Sequence, residues 1–158
     1  MSPAAAAPVR IIGIGNEWAG DDAVGIVITR RLRSLLGAEA EVVEAGPGGL
    51  DLLDLFDRAR PVILIDGVAA GAPPGTIHRV DLATQPVPRT MPCSTHAFGL
   101  AEVLQLARVM EQLPPNISLY GVEIEQVAPG AELSPAVARA VEETIRLICR
   151  ELTGAAHA

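Results

Sequence analysis

VRIIGIGNEWAGDDAVGIVITRRLRSLLG, residues 9–37, is the stretch whose reading decides the fold. Its first seven residues, VRIIGIG, form a short β-branched apolar run closed by glycine, the pattern of a buried strand. A loop, NEWAG, follows. From Asp22 onward Val24, Val27, Ile28, Leu32 and Leu35 recur at helical spacing. Arg30, Arg31 and Arg33 fall in the later turns and Gly37 at the end, so the segment carries both the charge bias and the stop signal of a helix.

Working outward, EVVEAG (41–46) reads as a second strand, and the glycine-rich turn at Gly46 to Gly49 leads into a shorter helix, GLDLLDLFDRAR. RPVILIDGV supplies the third and most apolar strand, ending at Asp66. TIHRVDL (76–82) alternates as an edge strand does, whereas the prolines of QPVPRTMPC exclude regular structure. Ser94 or Thr95 can cap a helix that begins near His96 and runs through AFGLAEVLQLARVMEQL. ISLYGVEIEQV (117–127) is the fifth strand. SPAVARAVEETIRLICRELTG is the last helix, with Ser134 at its cap, Pro135 in its first position and Gly154 just past its end.

This order predicts an α/β fold: a three-layer αβα sandwich around a mostly parallel, about five-stranded twisted sheet with room for one antiparallel member. The 158 residues suffice for one domain, expected over 9–154, with a flexible tail at 1–8 and another at 155–158. Only 3% of the residues are aromatic against 49% hydrophobic, so aliphatic side chains must fill the core. The net charge of -7 and the absence of lysine disfavour nucleic acid and anionic membranes, whose binding depends on clustered cations. Cys93 and Cys149 form no CxxC pair and no disulfide framework. With no signal peptide pattern and no run of membrane-spanning length, the expectation is a soluble cytoplasmic protein.

In sheets of this kind ligands bind where the carboxyl ends of strands meet the amino ends of helices. Asp22, Asp66 and His96 all fall on that edge. Two carboxylates within ~4 Å repel by roughly 4 kcal/mol at an effective dielectric near 20, which protonation, separation or a cation must relieve. Carboxylate with imidazole suits a first-row divalent ion such as nickel or zinc better than magnesium or calcium. Each residue also has an ordinary structural reading. Asp22 complements a helix dipole, His96 can bond a loop carbonyl, and Asp21 is a cap; Asp66, directly after Val62 to Ile65, is costly to desolvate unless paired.

These residues resemble those of the hydrogenase maturation proteases. GIGNEWAGDDAVG (13–25) is similar to that family's glycine-asparagine loop and paired acidic step, and ILIDGV (63–68) to its strand ending in aspartate. PGT (74–76), STHAFGLAEVL (94–104) and LYGVEIE (119–125) resemble its further blocks, in the same order. Gly67 stands where many members carry alanine, and some relatives have glutamate for Asp22. The resemblance implies an endopeptidase that removes the C-terminal extension of a nickel-iron hydrogenase large-subunit precursor after nickel insertion. Its metal-contacting and catalytic residues would be Asp22, Asp66 and His96, and the nickel would come with the precursor, with no organic cofactor. Asn16, Asp21 and Trp18 are expected to touch or orient substrate. The partner is then the large-subunit precursor, with no nucleic acid or membrane, and the chain a monomer. Three rivals stay open: a nucleotide-binding module, for which Trp18 replaces a needed glycine; a Cys93–His96 thiol enzyme; and a non-catalytic metal binder.

Overall fold

The computed structural model describes residues 7–46, 51–85 and 99–157. Five strands form one sheet in the order β2-β1-β3-β5-β4, where β1 is Val9–Ile14, β2 Ala40–Ala45, β3 Val62–Val68, β4 Ile77–Asp81 and β5 Ile117–Glu123. β1 pairs in parallel with β2 on one side and β3 on the other, β3 pairs in parallel with β5, and β4 lies antiparallel on the edge of β5. The expected α/β class, strand number and single antiparallel edge strand are all observed.

Helices cover both faces because the pleat sends alternate side chains of each central strand to opposite sides. Ile11, Ile63, Ile65, Tyr120 and Val122 pack under α1 (Val24–Leu36) and α4 (Pro135–His157). Ile12, Ile14, Val62, Leu64, Ile117 and Leu119 pack under α2 (Asp51–Leu55) and α3 (Leu100–Val109). Both clusters are aliphatic apart from Tyr120, as the scarcity of aromatic residues requires.

The strand order creates a switch point. The chain leaves β1 through α1 to reach β2 on one side, whereas β3 lies on the other side of β1. The two crossovers part above β1 and β3, leaving a crevice at the strands' carboxyl ends. Gly25 brings the start of α1 down onto this crevice: a Cβ there would lie 2.4 Å from the Ile65 carbonyl oxygen and 2.5 Å from that of Ile14. Gly25→Ala must therefore push the helix off both strands. We expect a loss of about 1–3 kcal/mol in urea unfolding.

Several boundaries differ from the sequence reading. The first helix is preceded by a 3-10 turn, Gly20–Ala23, so Asp22 sits before α1 rather than in its first turn. β3 runs two residues beyond Asp66. β5 stops at Glu123, short of 127, because the N–H groups of Glu125 and Gln126 turn to the Asp21 carboxylate. Within the described residues α3 ends at Val109; Glu111 takes φ 57°, a left-handed conformation that a helix cannot continue. The last helix continues through Gly154 to His157, since one glycine costs only about 1 kcal/mol and the alanines beyond it favour helix. The expected caps Ser94 and Thr95 and the start of their helix near His96 lie outside the described residues, as does most of the proline-rich loop.

Candidate active site at the carboxyl edge of the sheet

Gly15 closes β1 with φ 144° and approaches the turn so closely that a Cβ would lie 2.1 Å from the Asp22 carbonyl oxygen. This folds residues 15–22 into a tight arch. The Asn16 N–H donates to Asp22 Oδ2 at 3.1 Å, and Asn16 Oδ1 accepts from the Trp18 N–H at 3.0 Å. Asn16 thus fixes both the carboxylate behind it and the loop ahead of it. Trp18 is 73% exposed, so it does not cover the core.

Asp66 enters the crevice from β3, on the same face as Val62 and Leu64 and so on the side of α2 and α3. Its Oδ1 accepts from the Gly67 N–H at 2.8 Å. Its carboxyl is held well above the usual carboxylate range, chiefly by burial and next by the charge of Asp22; the Gly67 bond opposes both. The raised pKa and its second cause put the two carboxylates in one electrostatic neighbourhood although 44 positions separate them in sequence.

His96 and Cys93 lie outside the described residues. Among those that are described, no group of three His, Cys, Asp or Glu side chains is placed to hold a metal ion. The helix that follows His96 has a defined direction, however. Arg108, in the last turn of α3, donates to the Leu82 carbonyl at 2.8 Å, and the Leu82 N–H donates to that of Ile117 at the amino end of β5. Ten residues rising 1.5 Å each carry the helix about 15 Å from there, so Gly99 and Leu100 open it toward the carboxyl edge.

Asp21, expected among the substrate contacts or as a helix cap, has a different task. It is fully buried, and its carboxylate accepts four hydrogen bonds: Glu125 N–H at 2.8 Å, Gln126 N–H at 3.0 Å, Ser134 N–H at 2.7 Å and Ser134 Oγ–H at 2.8 Å. Burial pushes the carboxyl upward, but these four donors outweigh it and hold it below the usual range. A carboxylate so enclosed has no face for substrate. It instead ties the arch to the loop between β5 and α4, and the Asp21 N–H to the Gln126 carbonyl, 3.0 Å, completes the tie.

Glu123 is the other buried acid that sequence reading passed over, being masked by the apolar run of β5. It is 2% exposed and accepts from the Ala70 and Ala72 N–H groups, at 2.8 and 3.3 Å, while His78 Nε2 stands 3.1 Å away. His78, on the edge strand β4, is half-buried against it. The pair anchors the connection between β3 and β4. Cys149 is a free thiol whose acidity is weakened, first by burial and then by Glu39.

A parallel α/β sheet whose switch point gathers acids is a frame for hydrolytic chemistry, and comparison with known proteins narrows the class to a peptidase. A family model described as hydrogenase maturation protease matches residues 26–151. The chain belongs to the hydrogenase maturation protease family. It is similar to the hydrogenase 2 maturation protease of Escherichia coli K12, 29% identical over 147 residues that cover 91% of this chain and 90% of the relative. It also resembles the hydrogenase expression/formation protein HupD of Rhodobacter capsulatus, at 32% identity over 91% of this chain and 70% of the relative. Among solved structures, the E. coli hydrogenase maturating endopeptidase HybD superposes with a TM-score of 0.78 at 25% identity, covering 94% of both chains. Among the described residues no helix is long and apolar enough to cross a membrane.

Proposed function

We propose that this protein removes the C-terminal extension from a nickel-iron hydrogenase large-subunit precursor, and that Asp22 and Asp66, with His96, read the nickel in that precursor before the bond is cut. The single observation that carries the reading is the Asp66 carboxyl in the crevice, held above the usual carboxylate range chiefly by burial and next by the charge of Asp22. Left alone, the pair resists holding two negative charges. A divalent cation brought by the substrate relieves that repulsion and draws Asp66 to its ionised form. The nickel is in this account part of the substrate, and an unloaded precursor offers nothing to complete the site.

His96 is the third group of this proposal, as the resemblance of STHAFGLAEVL (94–104) to the family's block implies. Hydrolysis adds one water across one peptide bond, releasing a new carboxylate and a new amine. An ionised Asp66 is a suitable acceptor for the proton that the attacking water gives up, a role worth roughly a hundredfold or more in rate. Asn16 holds Asp22 in place through its N–H, so the arch rather than the core fixes the second carboxylate.

Coexpression of the large subunit with and without this chain tests the proteolytic half of the reading. Intact mass spectrometry is expected to show a loss equal to one C-terminal peptide only when the chain is present. An unchanged mass in a large subunit already loaded with nickel would reject it.

A further inference from the structure

Beside Asn16 the carboxyl ends of β1 and β2 part around a cleft of about 250 Å³. That is below the roughly 300–1,000 Å³ of sites for drug-sized ligands and cofactors, and it suits one or two amino-acid side chains. Ile26 and Ala45, each 4% exposed, supply buried apolar lining, Gly15 and Gly46 add backbone, and the exposed Trp18 ring borders it. Two acids also line it, yet neither offers free charge. Glu17 is held by Arg30 at 2.8 Å, and Glu44 by Arg30 at 2.9 Å and Arg33 at 3.0 Å. A cleft with neutralised carboxylates favours an uncharged apolar side chain over a lysine or arginine.

Its position ties it to the reaction. Asn16, whose N–H holds Asp22 Oδ2, is also part of the cleft, so the cleft opens one residue from that carboxylate. We propose that this cleft is a specificity subsite for an apolar side chain of the precursor, close to the bond that is cut, with Trp18 as its wall. The inference rests on the proteolytic reading above. Trp18 then serves as a rigid aromatic contact held by the Asn16 side chain, which explains why so large an apolar residue stays in solvent.

Two variants change the cleft without entering the core. Trp18→Ala removes the wall, and Gly46→Leu fills the space, since a Cβ at Gly46 meets no described atom within 4 Å. Nickel-loaded precursor, purified from cells lacking this chain, is prepared with alanine, valine, leucine or phenylalanine at each residue flanking the cut. Wild-type protein should rank these by size at one flanking position. Trp18→Ala should lower kcat/KM for the best precursor roughly tenfold or more, mainly through KM, and flatten the ranking, while Gly46→Leu should move the optimum to a smaller side chain. The same ranking in all three proteins, each shown folded by circular dichroism, would overturn the subsite. Wild-type protein that cuts none of the precursors would instead overturn the proteolytic reading, and the subsite with it.

Discussion

Asp66→Asn is expected to stop processing while making the fold more stable. Asparagine keeps an Oδ1 acceptor for the Gly67 N–H but cannot ionise, so the variant loses both cation ligand and proton acceptor and retains the packing. Processing of the loaded precursor should fall roughly a hundredfold to ten-thousandfold, read by electrophoresis of timed reactions. Stability should move the other way. The folded-state pKa of Asp66 lies above its ordinary 3.8, so the wild-type carboxyl contributes stability fully below that pH and loses it as pH rises through the higher folded value. Asparagine has no such loss. The melting temperature of the variant should exceed that of wild type at pH 8, and the gap should close on acidification toward pH 3.8. A variant less stable than wild type at pH 8 would mean that Asp66 is not repelled in the fold.

Asp21→Ala should have the largest effect on stability. It leaves three backbone N–H groups and one hydroxyl without their acceptor, the two Ser134 donors buried and those of Glu125 and Gln126 part-buried. Burying unsatisfied donors costs about 1–3 kcal/mol each, and partial relaxation brings the sum to about 3–5 kcal/mol. In a domain of this size that lowers the melting temperature by roughly 6–20 °C. The pH dependence has the opposite sign to that of Asp66. Because the folded-state value of Asp21 is depressed, its contribution is present above 3.8 and disappears as pH falls through the lower folded value. Thermal melts from pH 7 down to pH 2.5 check this: the deficit of the variant should shrink at the acid end. A deficit below 1 kcal/mol at pH 7 would show that water replaces the carboxylate without loss.

The two acids differ in how far sequence could reveal them. Asp66 was legible because four apolar residues precede it on a strand, so its position at a buried strand end followed from local pattern. Asp22 was legible in place, though the 3-10 turn that carries it was not: that turn depends on the close approach of Gly15 to its backbone. Asp21 was misread because its partners lie 104 to 113 positions away in a loop without its own periodicity. Adjacent aspartates thus differ in surroundings: Asp21 is enclosed by four donors, whereas the Asp22 carboxylate accepts from the Asn16 N–H. Sheet membership was legible, whereas the insertion of β5 between β3 and β4 depends on nonlocal pairing that no segment encodes alone. The stop of β5 at Glu123 has the same origin, since Asp21 takes the N–H groups that would have continued it.

The proposed nickel reading requires that Asp22 and Asp66 resist joint ionisation until the substrate supplies a cation. The measurement that bears on it most directly compares nickel-loaded and nickel-free large-subunit precursor, incubated side by side with this protein and followed by intact mass. The loaded precursor should lose its C-terminal peptide while the nickel-free one stays whole over the same interval. Equal rates of cleavage for both would contradict nickel reading by Asp22, Asp66 and His96.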